Sequence, residues 1–158
     1  MQAGNMSLYK GDINMSQRNK DHLLEQCHRI HGILDKEVKR YNGDYSKLFL
    51  LGYSQGACLA LGAGLSYSKK IGGVIAFKGH INMDIDKHVK SKQDIWATHG
   101  KGDDTIGYEV AEEYYKKYIK MGYDITFFKQ DKSVNHDANS GIREQIKNLE
   151  PWLLNKII

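Results

Sequence analysis

The stretch LFLLGYSQGA, residues 48–57, decides the fold, because an apolar run ends in a serine between two glycines. Residues 47–52 have the length and composition of a buried strand. Small residues follow over 55–66 (QGACLALGAGLS) and predict a helix that packs closely on a sheet. The turn between them reads Gly52-Tyr53-Ser54-Gln55-Gly56, which has the form G-x-S-x-G. A strand, a tight turn and a helix in this order are typical of a parallel sheet with helices packed on it.

Upstream of this unit, one long helix is predicted. Apolar residues recur at three- and four-residue spacing, which is the period of a helix with one buried face. Ser16 or Asn19 could cap its start, and Asn42-Gly43 ends it. Residues 1–15 show no such period, so they are predicted to form an irregular N-terminal segment.

Downstream, strands and helices alternate. Further buried strands are predicted over residues 71–78, 94–98 and 123–129, and further helices over 105–121 and 141–157. Residues 80–93 are polar and are predicted to be a loop. The order predicts one α/β domain over residues 1–158, with a three-layer architecture and a mostly parallel sheet.

Composition narrows the class of protein. The chain has 158 residues, 27% of them charged and 41% hydrophobic, which is typical of a soluble globular domain. Its net charge of +4 comes from scattered lysines, so binding to nucleic acid is not expected. No apolar run is long enough to insert stably in a membrane, and residues 1–20 are polar and resemble no secretory signal. Cys27 and Cys58 are expected to be buried free thiols, which predicts a cytoplasmic location, with an organelle as the alternative.

The G-x-S-x-G pattern suits a nucleophilic serine for a geometric reason. The serine must sit on a tight strand-to-helix turn, so that its hydroxyl projects from the sheet. Gly52 and Gly56 are expected to remove side chains that would collide across this turn. The backbone N–H of Gln55 would point at the oxyanion that develops during attack. The competing interpretation is a Gly-rich turn whose Ser54 merely faces solvent.

A serine nucleophile needs a base, and the base needs an orienting carboxylate. In a fold of this kind they follow the serine in the order acid, then histidine. The third predicted strand is followed by Asp103 and Asp104, and the fourth by His136. Because parallel strands end at one edge of a sheet, these groups are expected to meet there. Spacing alone leaves Asp103 and Asp104 as alternatives, and His99 is interpreted as a packed or hydrogen-bonded histidine.

Together these residues resemble the phospholipase/carboxylesterase family, which includes the acyl-protein thioesterases and belongs to the α/β-hydrolase superfamily. The resemblance rests on residues 52–57 at the family's G-[FY]-S-Q-G elbow, on residues 99–103 at its H-G-x-x-D loop, and on His136. It implies an α/β-hydrolase fold in which Ser54 is the nucleophile, Asp103 the acid and His136 the base. It also implies hydrolysis of acyl esters or thioesters without a metal or organic cofactor. The substrates that it implies are small acyl esters or acylated proteins.

The sequence departs from the family pattern on its N-terminal side. The family's H-G-x-G-D loop, which supplies a second oxyanion N–H, is not found in this sequence. The N–H of Gln55 remains as an oxyanion donor without that partner. Loss of one such donor typically costs ~10²–10³ in rate. A hydrolase fold shortened at its N-terminus would expose a sheet edge, which favours pairing with another chain. The alternative function is therefore a weak or inactive hydrolase relative that serves as a structural subunit, with a homo-oligomeric or larger-complex partner over that edge.

Overall fold

The computed structural model describes residues 13–158, with side chains from residue 21 onward. The helices are α1 (Ile13–Glu37), α2 (Gln55–Ser66), α3 (Tyr108–Lys120) and α4 (Ile142–Ile157). The strands are β1 (Phe49–Tyr53), β2 (Gly73–Phe77), β3 (Ile95–Gly100) and β4 (Ile125–Gln130). Each predicted helix and strand is present within this range, and their order confirms the predicted α/β class.

The four strands of the described residues form one parallel sheet in the order β1-β2-β3-β4. Gly52 of β1 lies beside Ala76 of β2, which lies beside Ala97 of β3. Because every pair is parallel, the segments that follow the strands all leave from the same edge of the sheet. This edge carries the serine turn and the two loops in which the sequence places the acid and the base.

Side chains alternate between the two faces of the sheet, and each face has its own core. Val74, Ala76 and Ala97 pack with buried residues of α1, α2 and α3. On the opposite face, Ile75 and Trp96 pack with α4. Helices therefore cover both faces, as the three-layer prediction requires.

Two local predictions are wrong. The first helix includes Ile13 and the residues after it, so Ser16 and Asn19 lie inside it and do not cap it. Residues 13–18 contain neither proline nor glycine, so the helix can continue on the N-terminal side of Asn19. Residues 13–15 are thus helical instead of irregular, and residues 1–12 of the predicted N-terminal segment lie outside the described residues.

The polar segment 80–93 is more ordered than a surface loop. It contains a 3₁₀ helix, Met83–His88, and buries Ile81 and Ile85 completely in the core shared with α2 and α3. The segment has four apolar residues, Ile81, Met83, Ile85 and Val89, among ten that are not apolar, and Met83 departs from the four-residue spacing of the others. No helix in the described part of the chain is both long and apolar enough to cross a lipid bilayer.

β1 lies at an edge of the sheet formed by the described residues, where it pairs with β2 alone. On the face opposite α2, the side chain of Leu51 is 64% exposed and that of Tyr53 is 41% exposed. The strand carries no charged residue and no proline, the features that usually discourage edge pairing. Among the described residues, β1 therefore forms an open edge of the sheet.

Candidate active site

Ser54 forms the turn between β1 and α2 in a strained backbone conformation. Its φ is +57° and its ψ −121°, a combination that side-chain-bearing residues rarely adopt. The conformation is held by backbone hydrogen bonds, since the Ser54 N–H donates to the Phe77 carbonyl at 2.8 Å. The Ser54 carbonyl accepts from Ala57 and Cys58 at the start of α2. Strain of this kind is concentrated at functional sites, where it fixes a side chain in position.

The two glycines of the elbow have different roles. A Cβ on Gly52 would lie 2.1 Å from the carbonyl oxygen of Gly56, which is far inside van der Waals contact. A Cβ on Gly56 would meet nothing within 4 Å. The predicted collision across the turn therefore applies to Gly52 only, and for Gly56 the prediction is wrong because the position faces open space.

This difference predicts the outcome of a matched pair of substitutions. Gly52→Ala should lower the free energy of unfolding by about 1–3 kcal/mol, because the turn must open to admit the methyl group. Gly56→Ala should leave it unchanged or raise it by up to ~1 kcal/mol, since alanine is the better helix former. Urea denaturation of both variants measures the difference. Equal stabilities of the two variants would contradict this account of the turn.

The structure brings the side chains of Ser54, His136 and Asp103 into one hydrogen-bonded chain. Ser54 Oγ lies 2.7 Å from His136 Nε2, and His136 Nδ1 lies 2.7 Å from Asp103 Oδ2. The His136 side chain is 16% exposed and that of Asp103 is fully buried. An imidazole placed between a hydroxyl and a carboxylate can take the hydroxyl proton while the carboxylate holds its other nitrogen in the required tautomer.

The choice between the two adjacent aspartates follows from the turn after β3. Asp103 Oδ1 accepts the N–H groups of Thr105 and Ile106 at 3.0 and 2.9 Å, which leaves Oδ2 directed at His136. Asp104 is exposed. Two backbone donors orient the buried Asp103 carboxylate, so its position does not depend on His136 alone.

His99 is buried and hydrogen-bonded, as predicted from the sequence. Its Nε2 lies 2.7 Å from the carbonyl of Ile106 and 3.3 Å from Asp103 Oδ2. Burial lowers the pKa of His99, which keeps the ring neutral. A neutral His99 carries no positive charge that would compete with His136 for the Asp103 carboxylate.

The loop that carries His136 rests directly on the Asp103 turn. The N–H of Gly102 donates to the carbonyl of Val134 at 3.0 Å. A Cβ on Gly102 would lie 2.2 Å from the carbonyl of Lys132, so only glycine permits this approach. The close contact fixes the distance between the two loops, and with it the distance between the acid and the base.

Two further side chains hold the His136 loop, and sequence reasoning missed both. The hydroxyl of Tyr53 donates to the His136 carbonyl at 2.6 Å. Lys78 donates from Nζ to carbonyl groups of the same loop. The only available signal was position, because Tyr53 is the last residue of β1 and Lys78 directly follows β2, the neighbouring strand.

Gln55 is placed where an oxyanion donor is expected. It is the first residue of α2, and the first N–H groups of a helix have no intrahelical acceptor. The partial positive charge of the helix N-terminus also favours an anion there. The structure thus places Gln55 at the N-terminus of α2, and its role as an oxyanion donor stays a prediction.

Cys58 lies one turn into α2, but it is not suited to act as a nucleophile. Its side chain is 1% exposed, and burial raises the pKa of its thiol to about 11. Cys27 is equally buried, and burial raises the pKa of its thiol to about 11 as well. A buried thiol stays protonated and unreactive at neutral pH. Within the described residues, no group of three or more His, Cys, Asp or Glu side chains could hold a metal ion.

Comparison with known proteins gives a consistent result. A sequence model of the Phospholipase/Carboxylesterase family matches residues 6–150. Lysophospholipase-like protein 1 of Mus musculus is 23% identical over 137 residues, which cover 83% of this chain and 55% of that protein. A probable carboxylesterase, SOBER1-like, of Arabidopsis thaliana is 27% identical over 144 residues, covering 87% of this chain and 53% of that protein.

The fold has solved relatives as well. The crystal structure of Arabidopsis thaliana SOBER1 superposes with a TM-score of 0.77 at 22% identity, over 88% of this chain and 66% of that chain. The chain spans about half the length of the curated relatives it matches. The range that the family model matches, residues 6–150, includes Ser54, Asp103 and His136.

Proposed function

Because the chain belongs to the phospholipase/carboxylesterase family, we propose that it hydrolyses carboxylic esters or thioesters of acyl groups through a covalent acyl-enzyme. One observation carries the proposal. Ser54 Oγ, the His136 ring and the Asp103 carboxylate form a continuous hydrogen-bonded chain with two 2.7 Å contacts. No requirement of folding demands that these three groups line up, whereas acyl transfer to a serine does.

In the acylation step, Ser54 Oγ attacks the carbonyl carbon of the substrate while its proton moves to His136 Nε2. Asp103 accepts the Nδ1–H of the imidazolium and stabilises its charge. The N–H of Gln55 stabilises the oxyanion of the tetrahedral intermediate. The intermediate collapses as Nε2 returns the proton to the leaving alcohol or thiol, and the acyl group remains on Ser54.

In the deacylation step, water takes the place of the leaving group. His136 Nε2 accepts a proton from the water as its oxygen attacks the acyl carbon, and then gives that proton to Ser54 Oγ. The carboxylic acid leaves and the enzyme returns to its first state. These steps use only side chains, one backbone N–H and water.

The substrate class follows from the chemistry of the serine and from the relatives. The family's name and that of the Arabidopsis relative refer to carboxylic esters. A thioester presents the same electrophilic carbonyl to Ser54 and has a better leaving group. We therefore propose acyl esters and acyl thioesters as substrates, either as small molecules or on acylated proteins.

The proposal is tested by trapping the acyl-enzyme. The purified chain is mixed with p-nitrophenyl acetate, and both released p-nitrophenol and intact protein mass are followed. We expect turnover, and we expect a single acetyl group on the peptide that contains Ser54. Acyl thioesters of increasing chain length then define the preferred acyl group.

The control is a fluorophosphonate probe, which reacts only with an activated serine. Labelling of Ser54 that disappears on denaturation would support the proposal. A folded protein that neither labels nor releases p-nitrophenol would contradict it, and would favour the inactive structural subunit. The hydrogen-bonded geometry at Ser54 does not favour that alternative, because an unused site has no need of an oriented base.

A further inference from the structure

Lys78 combines a buried charge with an unusual backbone conformation. It directly follows β2, its side chain is completely buried, and its φ is +59°. Lysine is almost never fully buried, and a residue with a side chain rarely adopts a positive φ. Both features are unfavourable, and they occur together at the edge of the sheet that carries the candidate active site.

All three N–H donors of the Lys78 ammonium group bond to carbonyls of one loop. Its Nζ donates to the carbonyls of Asn135, Asp137 and Ser140 at 2.7, 2.5 and 2.8 Å. An ammonium has three N–H donors, and the three carbonyls match them one to one. Burial lowers the pKa of Lys78, while the charges of Asp103 and Asp137 oppose this shift. Three carbonyl acceptors need three N–H donors, and only the protonated ammonium supplies all three.

These acceptors lie on both sides of the candidate base. The carbonyls before and after His136 bond to Lys78, and that of His136 itself bonds to the Tyr53 hydroxyl. Three consecutive carbonyl groups of the loop are thus held from the sheet below. The imidazole can then keep its 2.7 Å contacts to Ser54 and Asp103 without the loop shifting.

We propose that Lys78 is a positioning residue, which fixes the loop on both sides of His136 so that the imidazole spans Ser54 and Asp103. The inference rests on the proposed function, which makes His136 the base. Lys78 acts through the loop and touches neither the substrate nor the reacting atoms. Its loss should therefore lower kcat and leave KM nearly unchanged.

The test compares Lys78→Met with wild type, with Lys69→Met as the control for loss of an exposed lysine. Lys78→Gly is the second variant, because glycine relieves the positive φ and so assists folding. We expect both Lys78 variants to lower kcat roughly 10- to 100-fold per titrated active site, the effect of a misplaced catalytic group. Lys69→Met should match wild type.

Proton NMR gives a readout that does not depend on turnover. The Nδ1–H that His136 donates to Asp103 should appear as a far-downfield resonance, assigned by its loss in Asp103→Asn. We expect the resonance in wild type and Lys69→Met, and we expect it to broaden or vanish in both Lys78 variants.

Each outcome separates the two proposals. An unchanged resonance and an unchanged kcat in the folded Lys78 variants would overturn the role of Lys78 while leaving the proposed function intact. A lower melting temperature with kcat and resonance unchanged, or failure of both variants to fold, would make Lys78 structural only. If wild type shows the resonance but no turnover, and the resonance is lost in the Lys78 variants, the positioning role stands and the proposed function fails.

Discussion

Replacement of Ser54 by alanine is expected to lower kcat/KM for p-nitrophenyl acetate by roughly 10⁴- to 10⁶-fold. The variant lacks the oxygen that forms the acyl-enzyme, so only direct attack by water remains. His136 can still activate that water, and the Gln55 N–H can still stabilise an oxyanion, so a small residual rate is expected. Steady-state kinetics with burst analysis measures both the loss and the disappearance of the acyl-enzyme.

Ser68→Ala is the matched control, because Ser68 is an exposed serine beyond the end of α2. Its kcat/KM should equal that of wild type. Retention of wild-type hydrolysis by Ser54→Ala would mean that the observed activity comes from another group or from a contaminant. In either case the hydrogen-bonded chain at Ser54 would have lost its proposed role.

The fold was predictable because its main signals are local. The apolar run before Ser54 and the small residues after it identify β1 and α2, since a buried strand and a closely packed helix each have a characteristic composition. The segment 80–93 was not predictable in the same way. Burial of Ile81 and Ile85 depends on contacts with α2 and α3, which lie outside the segment, and most residues around these two are polar.

The candidate site was predictable in its order and only partly in its details. Parallel strands imply that the residues after their carboxyl ends meet, which brought Ser54, His136 and the acid together. The choice of Asp103 over Asp104 depends on which oxygen two backbone N–H groups can reach, and spacing does not reveal that. Lys78 lies 57 to 62 residues from the carbonyls it holds, beyond the reach of any local pattern.

The open edge of β1 bears on how the site is completed. The N–H that we propose as the oxyanion donor is the first one of α2, directly after Ser54. On the other face of β1, Leu51 and Tyr53 are exposed. A chain that pairs with this edge would lie beside the strand that leads into Ser54. The expected partner over the sheet edge stays a prediction. The hydrolysis rate per mole of protein, measured at several protein concentrations, would show whether activity depends on self-association.

Substitution of Asp103 by asparagine should lower kcat by roughly 10⁴-fold with little effect on the fold. Asparagine keeps Oδ1, so the hydrogen bonds from Thr105 and Ile106 and the turn that they form can persist. Its amide NH₂ would replace Oδ2 and face His136 Nδ1 as a donor. The imidazole must then present Nδ1 as an acceptor and carry its proton on Nε2, which prevents Nε2 from accepting the proton of Ser54.

Asp104→Asn is the control, because it makes the same change one residue away on an exposed side chain. It should retain wild-type kcat, and circular dichroism should show both variants folded. Equal losses in the two variants would indicate that the negative charge of this loop matters and not the contact with His136. A loss confined to Asp104→Asn would overturn the assignment of the acid, because the 2.7 Å contact from Asp103 Oδ2 to His136 would then be dispensable.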